Sequence, residues 1–217
     1  MERKQLEEIY SANNIKTLQI NCKIFSITVI GSNYENIRVR WENTKYRSLK
    51  ILSSSDILRI TDLAEPIFYG LKALIELKRN KELIIEVPIN YKGSLVIESA
   101  DEGIDMEGVN IDGDIFARST AGALKLNSIK GKHIDLVSGP GLINAEKITM
   151  QNGIHLTSAN GNIYCNIMDR AENYKLNCLT QHGRCNVPNY YCIGSKTLEA
   201  RSITGTINIM FQEDIGI

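Results

Sequence analysis

The chain of 217 residues carries 25 basic and 25 acidic side chains, so its formal net charge at pH 7 is zero. This balance excludes the strong basic field of a general nucleic-acid binder and gives no reason to expect attraction to a membrane surface. No run of 18 apolar residues occurs, so we expect no membrane span. The first residues, MERKQLEEIY, lack the apolar core of a secretory signal. The sequence as written therefore predicts a cytoplasmic protein, whereas removal of a leader would allow the cell surface.

The N-terminal part combines one predicted helix with short strands. Residues 1–14 are rich in Glu, Lys, Leu and Ile, which predicts a short helix that caps one end of the fold. Apolar residues then alternate at a period of two, which predicts irregular β-coils over residues 15–92. An insertion over 62–81 interrupts them, and Pro66 opens a one-sided apolar pattern within it. We expect a helical or irregular flap that covers a sheet edge; the alternative is a docking surface for a partner.

A six-fold repeat organises residues 93–211. Each unit has a Ser or Thr, which we call the anchor, followed three or four residues later by a glycine. The anchors recur every 19–22 residues and are Ser99, Ser119, Ser138, Ser158, Thr180 and Ser202. A period near 20 residues is typical of solenoids.

The apolar pattern around each anchor predicts two short strands with a corner between them. Apolar or small residues stand four and two positions before the anchor and five and seven positions after it. A spacing of two places these side chains on one face of a strand. One unit cannot bury its apolar face alone, whereas stacked units can. We therefore predict one all-β domain, a parallel β-helix (β-solenoid) with six regular rungs and right-handed winding.

Three expectations depend on this register. Leu156 should be buried in a central rung. Gly161 should have a positive φ, because Asn-Gly is a common signal for such turns. Ser158 should lie between Ser138 and Thr180, the anchors of the units before and after it.

Several segments resemble the putative-adhesin family of bacterial β-strand-repeat proteins. They are the lead-in VPINYKGSLVIES and the units STAGALKL, SANGNIYC and SITGTINI. The resemblance spans about residues 15–211 and implies surface adhesion, although the family's members are largely uncharacterised and supply no catalytic residues. The chain departs from the family pattern in lacking a visible export signal and in carrying cysteines in two rungs.

The cysteines are the first candidates for chemistry. Cys165, Cys178 and Cys185, with His182 and Cys192 nearby, superficially resemble a metal site. The repeat places the first three in different inward columns, and no two are expected to stack. We therefore expect reduced, buried thiols that hold no metal and form no mutual disulfide.

Other polar residues give no enzyme signature. An acidic run without the spacing of a calcium loop should be a solvated face; it comprises Glu98, Asp101, Glu102, Asp105, Glu107, Asp112 and Asp114. His133, His155 and His182 fall at unrelated positions of the repeat. No Ser-His-Asp arrangement, phosphate loop or dinucleotide motif is indicated. We predict that the protein is not an enzyme and needs no cofactor.

The candidate binding surface is the outward column six residues after each anchor. With Asp105, it holds Lys125, Asn144, Tyr164, Asn186 and Asn208. We predict a non-catalytic, adhesin-like binding or scaffolding module for a protein or a glycan. One alternative is a polysaccharide lyase or hydrolase on the same fold, which would need carboxylates converging in a groove. Another is a cytoplasmic regulatory partner of a cell-envelope system.

Overall fold

The computed structural model describes residues 4–43, 48–63, 82–187 and 194–212. These residues are all-β: sixteen strands form one curled sheet, with two single-turn 3₁₀ segments, Ala12–Asn14 and Ala171–Asn173. The strands are β1 Lys4–Ser11, β2 Thr17–Cys22, β3 Ser26–Ser32, β4 Asn36–Asn43, β5 Ser48–Ser53, β6 Ile57–Leu63, β7 Glu82–Pro88, β8 Ser94–Ser99, β9 Ile104–Glu107, β10 Ile115–Ser119, β11 Leu124–Ser138, β12 Ile143–Ser158, β13 Ile163–Ile167, β14 Tyr174–Thr180, β15 Lys196–Ser202 and β16 Ile207–Phe211.

Two parallel ladders carry the repeat units. The first pairs β8, β10 and the C-terminal parts of β11 and β12, and aligns Leu95, Ile115, Ile134 and Ile154. The second pairs β9, the N-terminal parts of β11 and β12, and β13, and aligns Ile104, Leu124, Ile143 and Ile163. Because β11 and β12 continue from one ladder into the other, both ladders belong to one curled sheet.

The core consists of the apolar columns that the strands turn inward. In β13, for example, Ile163, Cys165 and Ile167 are buried and the residues between them are not. Leu156 is only 1% exposed, which confirms its predicted burial in a central rung. The inward and outward faces of the strands are therefore assigned correctly.

The last two repeat units stack in the reverse of their chain order. β15 lies between β12 and β14, and β16 pairs with β13. Ser158 therefore has Ser202 as its neighbour, and Thr180 lies beyond Ser202. The prediction that Ser158 stacks on Thr180 is wrong. All units present similar apolar columns, so either stacking order buries them, and the repeat pattern does not distinguish the two.

The N-terminal strands extend both ladders and then reverse direction. β2 pairs in parallel with β8, and β3 with β9, so both ladders extend into the N-terminal part of the chain. β6 and β7 lie beyond β2 and β3 and are also parallel to them. β4 and β5 are antiparallel to β7 and β6. The outermost N-terminal layers are therefore antiparallel additions rather than further copies of the repeat coil.

The prediction of an N-terminal helix is wrong, because residues 4–11 form β1. This edge strand is antiparallel to β4 over its whole length. Helix propensities differ by only tenths of a kcal/mol per residue, so eight residues of strand pairing outweigh them. Six of the eight residues of β1 are exposed and three of these are charged, and Glu7 approaches Arg38 of β4 at 4.0 Å. Charged side chains on an edge strand discourage pairing with another chain.

Some predictions are not addressed by the described residues. The segment 64–81, most of the predicted insertion, lies outside them, as does Cys192. Right-handed winding and the single-domain organisation stay predictions. In the part of the chain that is described, no helix is long and apolar enough to cross a membrane.

A polar network ties β14 and β15 to the loop after β13. Asp169 accepts hydrogen bonds from Lys196 Nζ at 2.7 Å, Asn173 Nδ2 at 2.7 Å, the backbone N–H of Arg170 at 2.8 Å and the Tyr174 hydroxyl at 3.1 Å. Burial alone would raise the pKa of Asp169, but these hydrogen bonds outweigh it and lower the pKa to about 2. The network therefore stabilises the fold only while Asp169 is ionised.

We expect the Asp169 network to make stability fall at acid pH. Because the folded-state pKa of Asp169 lies below its usual value, the stabilisation is complete above about pH 4 and is lost as pH falls towards 2. The Asp169 side chain is 20% exposed. Solvent therefore screens the ion pair in part, and we expect a contribution of about 1 kcal/mol, or roughly 2–4 °C in Tm. Thermal melts from pH 7 to pH 2 should show that Asp169→Asn melts lower at pH 7 and converges with the parent near pH 2. A difference that does not change with pH would contradict this.

Candidate ligand-binding groove

Anchor hydroxyls hold the corners of successive coils together. The backbone N–H of Gly161 donates to Ser158 Oγ at 2.8 Å, and that of Gly205 donates to Ser202 Oγ at 2.9 Å. The hydroxyls in turn donate to the neighbouring coil, Ser202 to the Gly161 carbonyl at 3.2 Å and Thr180 to the Gly205 carbonyl at 3.0 Å. The five anchor serines are all buried. The corners therefore form a rigid, hydrogen-bonded column.

The corner glycines are required by the close approach of adjacent coils. A Cβ on Gly161 would lie 2.0 Å from the carbonyl oxygen of Gly141, and a Cβ on Gly205 would lie 2.0 Å from that of Gly161. Among the glycines of the described residues, only Gly108 has a positive φ, at 63°. The prediction that Gly161 has a positive φ is therefore wrong, although the corner does need a residue without a side chain.

A groove of about 690 Å³ runs along the outside of this column, across five coils; we call it the corner groove. It is lined by the anchors Ser119, Ser138, Ser158, Thr180 and Ser202 and by the residue on each side of every anchor: Arg118, Thr120, Val137, Gly139, Thr157, Ala159, Leu179, Gln181, Arg201 and Ile203. Since the coils are stacked, the groove runs perpendicular to the strands.

The depth of the corner groove follows from the size of its side chains. Its central coils contribute small residues after the anchor, Gly139 and Ala159. Towards one end of the groove the side chains are larger: Ile203 follows the anchor Ser202, Leu179 precedes the anchor Thr180, and they are 44% and 48% exposed. Small residues at the centre and long ones at the end leave a trough with a partly apolar wall. Large exposed apolar side chains grouped in a concavity are typical of ligand-binding surfaces.

The charged groups of the corner groove are two arginines. Arg118 makes no ion pair with a described residue, and Arg201 approaches Glu199 Oε2 at 3.5 Å. The two belong to coils three steps apart, since Arg118, Val137, Thr157 and Arg201 occupy successive positions of the first ladder. None of the described residues that line the groove is acidic or aromatic. Both charged lining residues are therefore basic, one towards each end of the groove.

The predicted binding column lies on a different face. Its residues from Lys125 through Asn144 and Tyr164 to Asn208 are neighbours in the second ladder. Lys125 and Asn144 line a smaller groove of about 320 Å³, which we call the second groove. Asn186 is committed elsewhere: its amide donates to the Ile209 carbonyl and accepts from the Ile209 N–H, both at 2.8 Å. Asn186 belongs to the coil of Thr180, which is the terminal coil of the stack. Its side chain joins this coil to Ile209 with hydrogen bonds like those that the backbones of neighbouring strands form.

The acidic residues are distributed around the coils. Glu98 accepts a hydrogen bond from Asn21 at 3.1 Å, and Asp112 forms an ion pair with Lys92. Asp105 and Glu107 line the second groove together with Glu146. Glu107 and Glu146 each accept a hydrogen bond at 3.0 Å from a neighbouring amide, of Asn127 and Asn144. In the described residues, no three His, Cys, Asp or Glu side chains are grouped so that they could hold a metal ion.

The histidines are partly brought together. His133 and His155 lie on adjacent coils, and their rings meet edge to face with centroids 4.7 Å apart. His182 is exposed at the corner of the terminal coil. Sequence reasoning treated all three as unrelated and missed the contact between the first two.

The cysteines of the described residues are free thiols. Cys165 stacks between Ala145 and Ile209, and Cys178 lies beside Ala200. Stacking in chain order would instead place Val187 beside Cys165 and Leu156 beside Cys178; that expectation is wrong because the last units stack in the reverse order. Cys178 and Cys185 contact each other across the corner of the terminal coil. Burial raises the pKa of Cys165 and Cys178 to about 12, which disfavours the reactive thiolate.

The corner groove was not predicted from the sequence. Its residues stand one position before and one after each anchor, whereas the predicted binding column stands six positions after it. The available signal was the change in size along these two columns, from Gly139 and Ala159 to Ile203, together with the arginines at 118 and 201. These changes carry meaning only when the spatial order of the coils is known.

Fold and groove together define a β-strand-repeat protein that exposes a groove with two arginines on a hydrogen-bonded column of corners. Residues 115–209 match the model of the Toastrack DUF4097 family. This confirms the predicted resemblance to the putative-adhesin family.

Two solved structures are similar over nearly the whole chain. A putative cell adhesion protein from Clostridium sporogenes is 12% identical, with a TM-score of 0.56, over 97% of this chain and 100% of that one. A putative adhesin from Bacteroides fragilis is 13% identical, with a TM-score of 0.47, over 96% of this chain and 97% of that one. At 12% identity, the likeness to the Clostridium sporogenes protein shows a similar fold alone. No curated protein sequence matches the chain.

Proposed function

We propose that the protein is a non-catalytic, adhesin-like binding module that holds a segment of a protein or a glycan in the corner groove. The observation that carries the proposal is the groove itself: about 690 Å³, with an apolar wall and two arginines. The hydrogen bonds of the buried anchors hold its floor in place before a ligand binds. Binding therefore avoids the entropic cost of ordering the site. The similar structure from Clostridium sporogenes is named a putative cell adhesion protein, which is consistent with a binding role.

The corner groove supports a binding role better than the predicted outward column does. The second groove, which contains part of that column, is about half as large, and Asn186 is already bonded to the backbone. Tyr164 is 37% exposed and free to make contacts, so the column is a natural comparison surface.

Binding screens with variants on each surface test the proposal. A peptide display library and a glycan array should give ligands that bind the parent protein. Ala159→Tyr fills the centre of the corner groove, and Leu179→Ala removes part of its wall; each should weaken binding at least about fivefold, the change expected from losing roughly 1 kcal/mol of contact. Lys125→Ala and Tyr164→Ala on the outward column should leave binding unchanged. If the outward variants abolish binding and the groove variants do not, the column is the site and the proposal is wrong.

A carbohydrate-active enzyme is the second candidate, because Asp105, Glu107 and Glu146 line the second groove. Glycoside hydrolysis needs two carboxyl groups that flank one bond. Here two of the three are hydrogen-bonded to neighbouring amides. Release of reducing ends from any polysaccharide of the array, lost in Glu107→Gln or Glu146→Gln, would replace the binding role with catalysis.

A further inference from the structure

We infer that the ligand of the corner groove is an extended peptide segment of a partner protein, with acidic side chains at positions i and i+4 and an apolar side chain at i+2. This inference deepens the proposed function and rests on it. It follows from the spacing of the arginines, the small and apolar residues between them and the chemistry that the lining lacks.

The arginine spacing matches an extended chain. Neighbouring strands lie about 4.8 Å apart, so Arg118 and Arg201, three steps apart, are separated by about 14 Å. An extended peptide rises about 3.3 Å per residue, so four residues span about 13 Å. Side chains alternate between faces at a period of two, so positions i and i+4 point the same way. Carboxylates at those two positions can reach both arginines at once.

The position between the two carboxylates faces apolar and small residues. The side chain at i+2 points into the groove with those at i and i+4. It meets the central coils, where Val137 and Ala159 leave space. Thr157 adds a hydroxyl that can bond to the peptide main chain. Leu179, beyond Arg201, can contact a further apolar residue.

Charge favours acidic groups on the ligand. The arginines are the charged lining residues of the groove, and Arg118 is unpaired among the described residues. Glu199 lies beside Arg201, and Glu98 lies beside Arg118 in the ladder but accepts a hydrogen bond from Asn21. A guanidinium presents a planar fork of donors that matches a carboxylate. Complementary charge at both ends of the groove fixes the register of the bound segment.

A glycan fits the lining less well. Sugar rings are commonly recognised by stacking on aromatic side chains, and none of the described lining residues is aromatic. The groove instead offers aliphatic side chains, hydroxyls and guanidinium groups, which suit apolar and acidic peptide side chains.

Fluorescence anisotropy with three labelled peptides tests this inference. The first has the core Glu-Thr-Val-Thr-Glu, the second is the isomer Glu-Thr-Val-Glu-Thr, and the third replaces both Glu by Gln. The first should bind at least about fivefold more tightly than the others, and raising the salt concentration should weaken it. Arg118→Gln and Arg201→Gln should each raise its Kd about fivefold. Lys125→Gln makes the same charge change outside the corner groove and should not alter Kd.

The outcomes separate this inference from the proposed function. Equal binding of all three peptides, or binding unaffected by the arginine variants, overturns the acidic-peptide inference. A third outcome is that polygalacturonate binds the parent protein but not Ala159→Tyr, and that none of the peptides binds. The groove is then a binding site for an acidic glycan, so the inference fails while the proposed function stands. If neither the peptides nor any ligand of the screens responds to Ala159→Tyr, both fail.

Discussion

Replacing Gly161 with alanine should destabilise the protein by about 3 kcal/mol or more, at or above the upper end of typical overpacking costs. The new Cβ would lie 2.0 Å from the oxygen and 2.5 Å from the carbon of the Gly141 carbonyl. Both are backbone atoms of a central coil, so a side-chain rotation cannot relieve the overlap. The coils would have to separate, which would break the hydrogen bonds of Ser158 to its own and the neighbouring corner. Urea unfolding at neutral pH measures the loss.

Gly108→Ala is the matched control, because it separates the two reasons why a position can require glycine: a positive φ and the close approach of another backbone. Gly108 has a φ of 63°, and a Cβ placed there meets no atom within 4 Å. Alanine at this position should therefore cost only about 1 kcal/mol, from the left-handed conformation. Tyr164→Val, at an outward strand position, should change stability by no more than about 0.5 kcal/mol. Equal losses for the two glycine variants would mean that the close approach of the coils is not what requires Gly161.

The inward and outward faces of the strands could be predicted because they depend on a local rule. Side chains alternate at a period of two, so the apolar pairs around Ser158 are enough to place Leu156 in the core. Each unit repeats the rule, and an error in one unit would have conflicted with the others. The corner glycines were also located correctly, although their physical reason is the 2.0 Å approach to the next coil rather than a positive φ.

The spatial order of the coils could not be predicted in the same way. Any unit can bury its columns against any other, so the insertion of β15 between β12 and β14 leaves no mark in the apolar pattern. The same holds for β1, whose residues favour a helix but whose pairing with β4 makes a strand. Both outcomes depend on contacts between segments distant in the sequence, and local propensity is weak beside such contacts.

The candidate site depends on this long-range order. Arg118 and Arg201 are 83 positions apart in the sequence, yet only the coils of Val137 and Thr157 lie between them. Had the units stacked in chain order, Leu179 would stand beside Thr157 and Arg201 would be one step further away. The arginine spacing that selects an i, i+4 acidic peptide therefore results from the reversed stacking of the last two units.

Leu156→Ala should cost about 4–5 kcal/mol, near the top of the usual range for a buried leucine. Leu156 is 1% exposed and lies between Leu136 and Ala200 in the first ladder. Because Ala200 is already small, the substitution would place two alanines side by side, and the neighbouring side chains could not fill the resulting cavity. Leu179→Ala is the matched control: the same atoms are removed from a side chain that is 48% exposed, and we expect a loss below about 1 kcal/mol. Thermal and urea unfolding of both variants give the comparison. Similar losses would show that Leu156 does not pack as the inward register requires, and the assignment of every column that follows from it would be wrong.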